Sequence, residues 1–240
     1  MANKKLEKCV PGLEWEKEDI KNIDGSIGEK YYYKGMLAIK IPLQGNFVTQ
    51  LAGYTLIQKD ILIIIEWIQK VIEEYKIMGI DKSDLSSTQR TPDNLRNKID
   101  IIKAFMVAAI TFYGKLFTKA DGRKIKLESN IYESKLGLLK IHNEIMMYRH
   151  NFTAHSGYER VEYVEVSLFL DSNKERNTIP FLVRTMNQPA AFSNKFLDNF
   201  VNVCIYLLTK VNDKINNLNK KYYEDLTPKQ IEMMYEIAKR

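Results

Sequence analysis

From Asn46 onward the apolar positions fall into stripes. Phe47, Leu51, Tyr54, Ile57, Ile61, Ile64, Ile68, Val71 and Tyr75 recur at steps of three and four, the spacing that gathers side chains on one face of a long α-helix. Gly79 supplies a stop. A polar stretch over residues 81–89 leads to Thr91-Pro92, an N-cap followed by proline in the first turn. The second stripe then runs through Leu95, Ile99, Ile102, Met106, Ile110, Tyr113 and Phe117. After a turn at Asp121-Gly122, a third carries Leu138, Ile141, Ile145, Tyr148 and Phe152 and closes at Gly157. Pro189 opens a fourth, with Phe196, Phe200, Val203, Leu207, Val211, Ile215 and Leu218 facing inward, and Cys204 beside them as core. Thr227-Pro228-Lys229-Gln230 reads as a capping box for a short terminal helix.

Two regions break this period. Residues 161–170 are rich in β-formers with partial alternation, and residues 179–184 answer them across the polar turn at 171–177, which predicts a β-hairpin over about 161–186. Residues 1–45 carry Pro11-Gly12, Asp24-Gly25, Gly28, Gly35 and Pro42 around a Tyr31-Tyr32-Tyr33 cluster and a short apolar stretch from Met36 to Ile41. This region reads as an irregular N-terminal arm. The expected fold class is all-α: an arm over 1–45 and a helical domain over 46–240 with the hairpin inserted. No internal repeat, low-complexity tract or long polar linker interrupts it.

Composition narrows the picture. With 240 residues, 45% of them hydrophobic, the chain has ample material for a packed core. Cys9 and Cys204 are too few and too far apart for a disulfide framework or a Cys-based zinc set. The most apolar run, Ile61 to Ile65, is flanked by charges, and the N-terminus opens on lysines, so neither export nor a membrane span is expected and the cytoplasm is. The net charge of +6 concentrates in residues 81–160, which hold 14 basic and 9 acidic side chains. Lys115, Lys119, Arg123, Lys124 and Lys126 either line a path for a polyanion or decorate a solvated helix end.

All three histidines, His142, His150 and His155, fall within fourteen residues and flank Arg149. Seven helical residues turn through about 700°, so His142 and Arg149 share a face, with His155 near or past the helix end. Cleaving RNA without a metal needs a group that titrates near neutrality to take the 2′-hydroxyl proton, and a cation for the charge gathering on phosphorus oxygens. His155 suits the first role and Arg149, with its planar fork of donors, the second. Both are expected to face solvent. His142, a single histidine on a helix, reads as a surface residue, and spacings of eight and five among the histidines match no zinc ligand set. No metal or other cofactor is expected.

The segment Arg149-His150-Asn151-Phe152-Thr153-Ala154-His155-Ser156 resembles the signature of HEPN ribonucleases: an arginine, a polar residue, a short gap and a histidine. The order of helices around it is similar over roughly residues 46–220. The resemblance implies a HEPN-like four-helix up-down bundle and a metal-independent endoribonuclease of bacterial or phage defence or of a toxin–antitoxin system. It implies a homodimer with two motifs facing one composite site. In that site Arg149 and His155 are catalytic, while His150 and Asn151 orient the pair. RNA contacts fall to Lys119, Arg123, Lys124, Lys126 and Tyr158, and an antitoxin or a nucleotidyltransferase is the further partner. One departure stands out, since the position two residues after His155, a tyrosine in some of these toxins, is Gly157 here and the tyrosine is Tyr158. Glu144, the nearest acid, lies about 140° round the helix from Arg149. The rival expectations are a catalytically inactive HEPN-like module that binds RNA or a protein, and a plain helical interaction protein.

Overall fold

The computed structural model describes residues 7–8, 14–22, 24–78, 93–119, 122–150, 163–172, 179–187 and 192–238. The chain divides into two compact units, Met1–Gln44 with Tyr223–Arg240, and Gly45–Tyr222.

In the first unit the expected irregular arm is instead an antiparallel sheet of four strands in sequence order, β1 (Glu7–Lys8), β2 (Trp15–Lys21), β3 (Ile27–Tyr33) and β4 (Met36–Leu37). Its register runs from Trp15 opposite Tyr33 to Lys21 opposite Ile27. Side chains tie it across the strands: Trp15 and Tyr33 lie 5.1 Å apart between ring centroids, Lys17 pairs with Glu29 at 3.0 Å, and the Tyr32 hydroxyl donates to Glu18 at 2.7 Å. Lys34 and Gly35, at φ 48° and 75°, make the tight β3–β4 connection, the left-handed pair that suits a right-twisted hairpin. Further along the chain comes the helix Pro228–Ala238, and the expected capping box is present. The Gln230 amide oxygen accepts the Thr227 N–H at 2.8 Å, and the Thr227 hydroxyl accepts the Gln230 N–H at 3.3 Å.

The second unit holds α1 (Asn46–Met78), α2 (Asp93–Leu116), α3 (Leu136–Tyr148) and α4 (Asn194–Asp225) as far as Tyr222, with a single-turn helix at Ser129–Tyr132 before α3. The terminal helix Pro228–Ala238 is α5. The stripes read from sequence are the buried ones: Ile57, Ile61, Ile64, Ile68 and Val71 from α1, Ile102, Met106, Ile110 and Tyr113 from α2, Ile145 from α3, and Phe196, Phe200, Val203, Leu207 and Val211 from α4 share one core. Cys204 lies in it, wholly buried. Polar bonds fasten the bundle at its margins, Gln58 of α1 to Asn212 of α4 at 2.7 Å and the Tyr206 hydroxyl to the Ile131 carbonyl at 3.0 Å.

One boundary differs from expectation. α4 begins at Asn194, not at Pro189, which lies outside the described residues; Ser193 sets the start by accepting the Phe196 N–H on its hydroxyl at 3.2 Å. Thr91-Pro92, the expected start of α2, also lies outside them. The hairpin forms as expected, β5 (Tyr163–Phe169) against β6 (Phe181–Asn187), antiparallel with Leu168 opposite Leu182. The protein is thus mostly helical with two small antiparallel sheets, and no described helix is long and apolar enough to cross a membrane.

Candidate functional site around Arg149

Arg149 closes α3. Its N–H still bonds back to the Ile145 and Met146 carbonyls, and the helix widens into a looser turn at Arg149 and His150. The side chain does not stand out into solvent as expected. It is half-buried and lies across α2 at Gly114, so close that a Cβ there would overlap its Cδ and Nε. The arginine is long enough to lie flat on a neighbouring helix, and the glycine leaves the depression it lies in. His150 is exposed. Asn151, His155 and Tyr158, the other motif residues, lie outside the described residues.

Seven residues before Arg149, and on the same α2-facing side, stands His142. It is not at the surface: only 5% of it is exposed. The Tyr113 hydroxyl bonds its Nδ1 at 2.8 Å and the Tyr132 hydroxyl at 2.9 Å, so the three polar groups satisfy one another inside the bundle. The rings of Phe117, Tyr132 and Tyr113 wall it in at 4.5, 5.1 and 5.7 Å between centroids. Burial pushes the imidazole below its ordinary range and keeps it neutral. Burial, with Tyr132 beside it, holds the Tyr113 hydroxyl well above its own.

The basic series after α2 separates into two kinds of residue. Arg123 is buried, and cannot belong to a surface path for RNA. Its guanidinium pairs with Asp60 of α1 at 3.0 Å, and donates to the Ile125 carbonyl at 3.0 Å and to the Lys115 carbonyl. Burial lowers its pKa, and Asp60 opposes that shift. Lys115 adds a second cation to Asp60 at 3.0 Å. The segment is pressed down on α1 where Ile125 fills the space over Gly53. Lys119, Lys124 and Lys126 are exposed, with Lys126 paired to Glu128 at 3.1 Å. Lys126 also lines a cavity of about 420 Å³ with Glu128 and with Lys210, Asp213 and Lys214 of α4, over an apolar floor that includes Leu127, Ile131 and Val211.

Sequence reasoning missed four contributors: Gly114, Tyr113 as the partner of His142, Asp60, and the α4 lysines. A signal existed for Asp60, a carboxylate three positions after Ile57 and four before Ile64 and so on the face of the apolar stripe, and for Gly114, a glycine among the apolar residues of the last turn of α2. Among the described residues no three His, Cys, Asp or Glu side chains stand together as a metal site. No family model, curated protein or solved structure matches the chain.

Proposed function

We propose that the protein is a metal-independent endoribonuclease of HEPN type, built on an up-down four-helix bundle. It works in the cytoplasm, in bacterial or phage defence or in a toxin–antitoxin system with an antitoxin or nucleotidyltransferase as partner. The observation that carries the reading is Arg149 at the end of α3, half-buried against Gly114 of α2 and followed in sequence by His150, Asn151 and His155. A cation on a packed stem opposes developing phosphate charge with little reorganisation. His155 takes the 2′-hydroxyl proton, the 2′-oxygen attacks phosphorus while Arg149 holds the non-bridging oxygens, and the 5′-oxygen leaves with a proton. Base and acid are both needed in one turnover, which two facing copies of the motif supply in a homodimer.

Purified protein is expected to cut RNA in excess chelator, leaving 2′,3′-cyclic phosphate and 5′-hydroxyl ends, and to have a dimer's mass in light scattering. Arg149→Ala and His155→Ala should each be inactive, and mixing the two chains should restore part of the activity. A requirement for magnesium overturns the mechanism; a strict monomer that still cuts overturns the shared site.

One observation favours a second reading, a module that holds RNA without cutting it. The cavity lined by Lys126, Lys210 and Lys214, with Glu128 and Asp213 also in its wall, carries one more cation than anion and offers a phosphate backbone lysines with no catalytic group required. Salt-sensitive RNA binding with no cleavage under the same conditions selects it.

A further inference from the structure

We propose that Gly114 is the seat of the Arg149 side chain and thereby its positioning residue. The inference rests on the reading of Arg149 as the phosphate-holding cation.

A glycine inside a helix weakens it relative to alanine, so a reason for this one has to be sought. Its backbone gives none: Gly114 stands in the last turn of Asp93–Leu116, but it does not adopt the left-handed conformation for which helix ends use glycine, the positive-φ glycines among the described residues being Gly25, Gly35 and Gly45. What an alanine would meet there is the Arg149 side chain, at Cδ, Nε and Cγ. Those atoms are the middle of the side chain and not its free end, so relief of the overlap means moving the guanidinium. The missing Cβ is therefore a notch in α2 that the arginine stem occupies.

The neighbouring residue completes the device. Tyr113 holds His142 by the 2.8 Å bond to its Nδ1, while Gly114 accepts Arg149, one position along α2 and seven along α3. One contact fixes the rotation of α3 and the other uses it to lay the arginine on α2. An arginine free in solvent must lose rotamer freedom each time it grips a phosphate; one already lying in a notch has less to lose, and its donors point where the scaffold puts them.

Four chains test this: wild type, Gly114→Ala, Arg149→Ala and the double variant, each measured for thermal midpoint and for RNA cleavage. In the wild-type background Gly114→Ala is expected to lower the midpoint, because the methyl evicts the arginine stem. In the Arg149→Ala background the same substitution should raise it by roughly 2–4 °C, the helix preference of alanine acting on an empty notch. In cleavage, Gly114→Ala is expected to reduce kcat on the order of 10-fold or more while KM for RNA changes by less than about twofold, and to cause no further loss once Arg149 is gone. A midpoint change of the same sign in both backgrounds overturns the seat. A reversal of sign with kcat unchanged overturns the positioning role. If no chain cleaves RNA and the sign still reverses, Gly114 remains the seat of Arg149 and the ribonuclease reading falls.

Discussion

The imidazole of His142 is held neutral by the aromatic walls around it, and this gives stability a pH dependence of known sign. Burial lowers its pKa in the folded chain, whereas the unfolded chain titrates near the ordinary value of about 6.5. Between the two values the unfolded state carries a proton that the folded state does not. Stability therefore rises with pH through that window and is lost as pH falls below about 6.5. Thermal melts from pH 7.5 to 5 should show the wild type losing more of its midpoint than His142→Asn. The asparagine keeps an acceptor for the Tyr113 hydroxyl and removes the titrating ring, at some cost in packing. Equal slopes would mean that the folded chain accepts the proton as readily as the unfolded one. At this scale the site was only partly legible. His142 and Arg149 belong to one stripe, Leu138, His142, Ile145 and Arg149, at steps of four, three and four, buried at its centre and half-buried at its ends, but two of its four members are polar. Their polarity pointed to solvent, and only the partners on α2, a tyrosine and a glycine, turn them inward.

At the scale of elements, α1 is fastened to the segment after α2 by one carboxylate. Asp60 receives Arg123 and Lys115, and Arg123 is itself buried. Removing one member of such a pair leaves an uncompensated charge, so Asp60→Leu is expected to cost about 3–5 kcal/mol, while Asp60→Leu with Arg123→Met should cost less than the sum of the two single changes. Denaturant melts of the four chains check it, and strict additivity would show that the charges do not act as a pair. The helices were readable because each repeats an apolar stripe over several turns. The N-terminal sheet was not, since Trp15-Glu16-Lys17-Glu18-Asp19-Ile20-Lys21 shows no apolar alternation. Its cohesion comes from cross-strand pairs, Lys17 with Glu29 and Glu18 with Tyr32, which exist only once the register is set. Much the same applies to the start of α4, where Pro189 is the louder local signal and the hydroxyl of Ser193 is the one that caps.

Across the whole molecule, the central fact is a single core drawn from all four long helices of the second unit, with the motif at the end of one of them. The basic excess of the middle third is accordingly not all surface. Arg123 lies inside, whereas Lys119, Lys124 and Lys126 are exposed. Cys204, wholly enclosed by that core with its thiol pushed up by burial, doubles as a clock. In a Cys9→Ser chain it is the one thiol left, and a water-soluble reagent reaches it only when α4 lifts from the bundle. Its labelling rate, divided by that of a free cysteine, is then the equilibrium constant for this opening. The expectation is labelling slower by orders of magnitude, accelerating with denaturant in parallel with global unfolding. Fast labelling with no denaturant dependence would reveal instead that α4 breathes on its own, independently of the rest of the core.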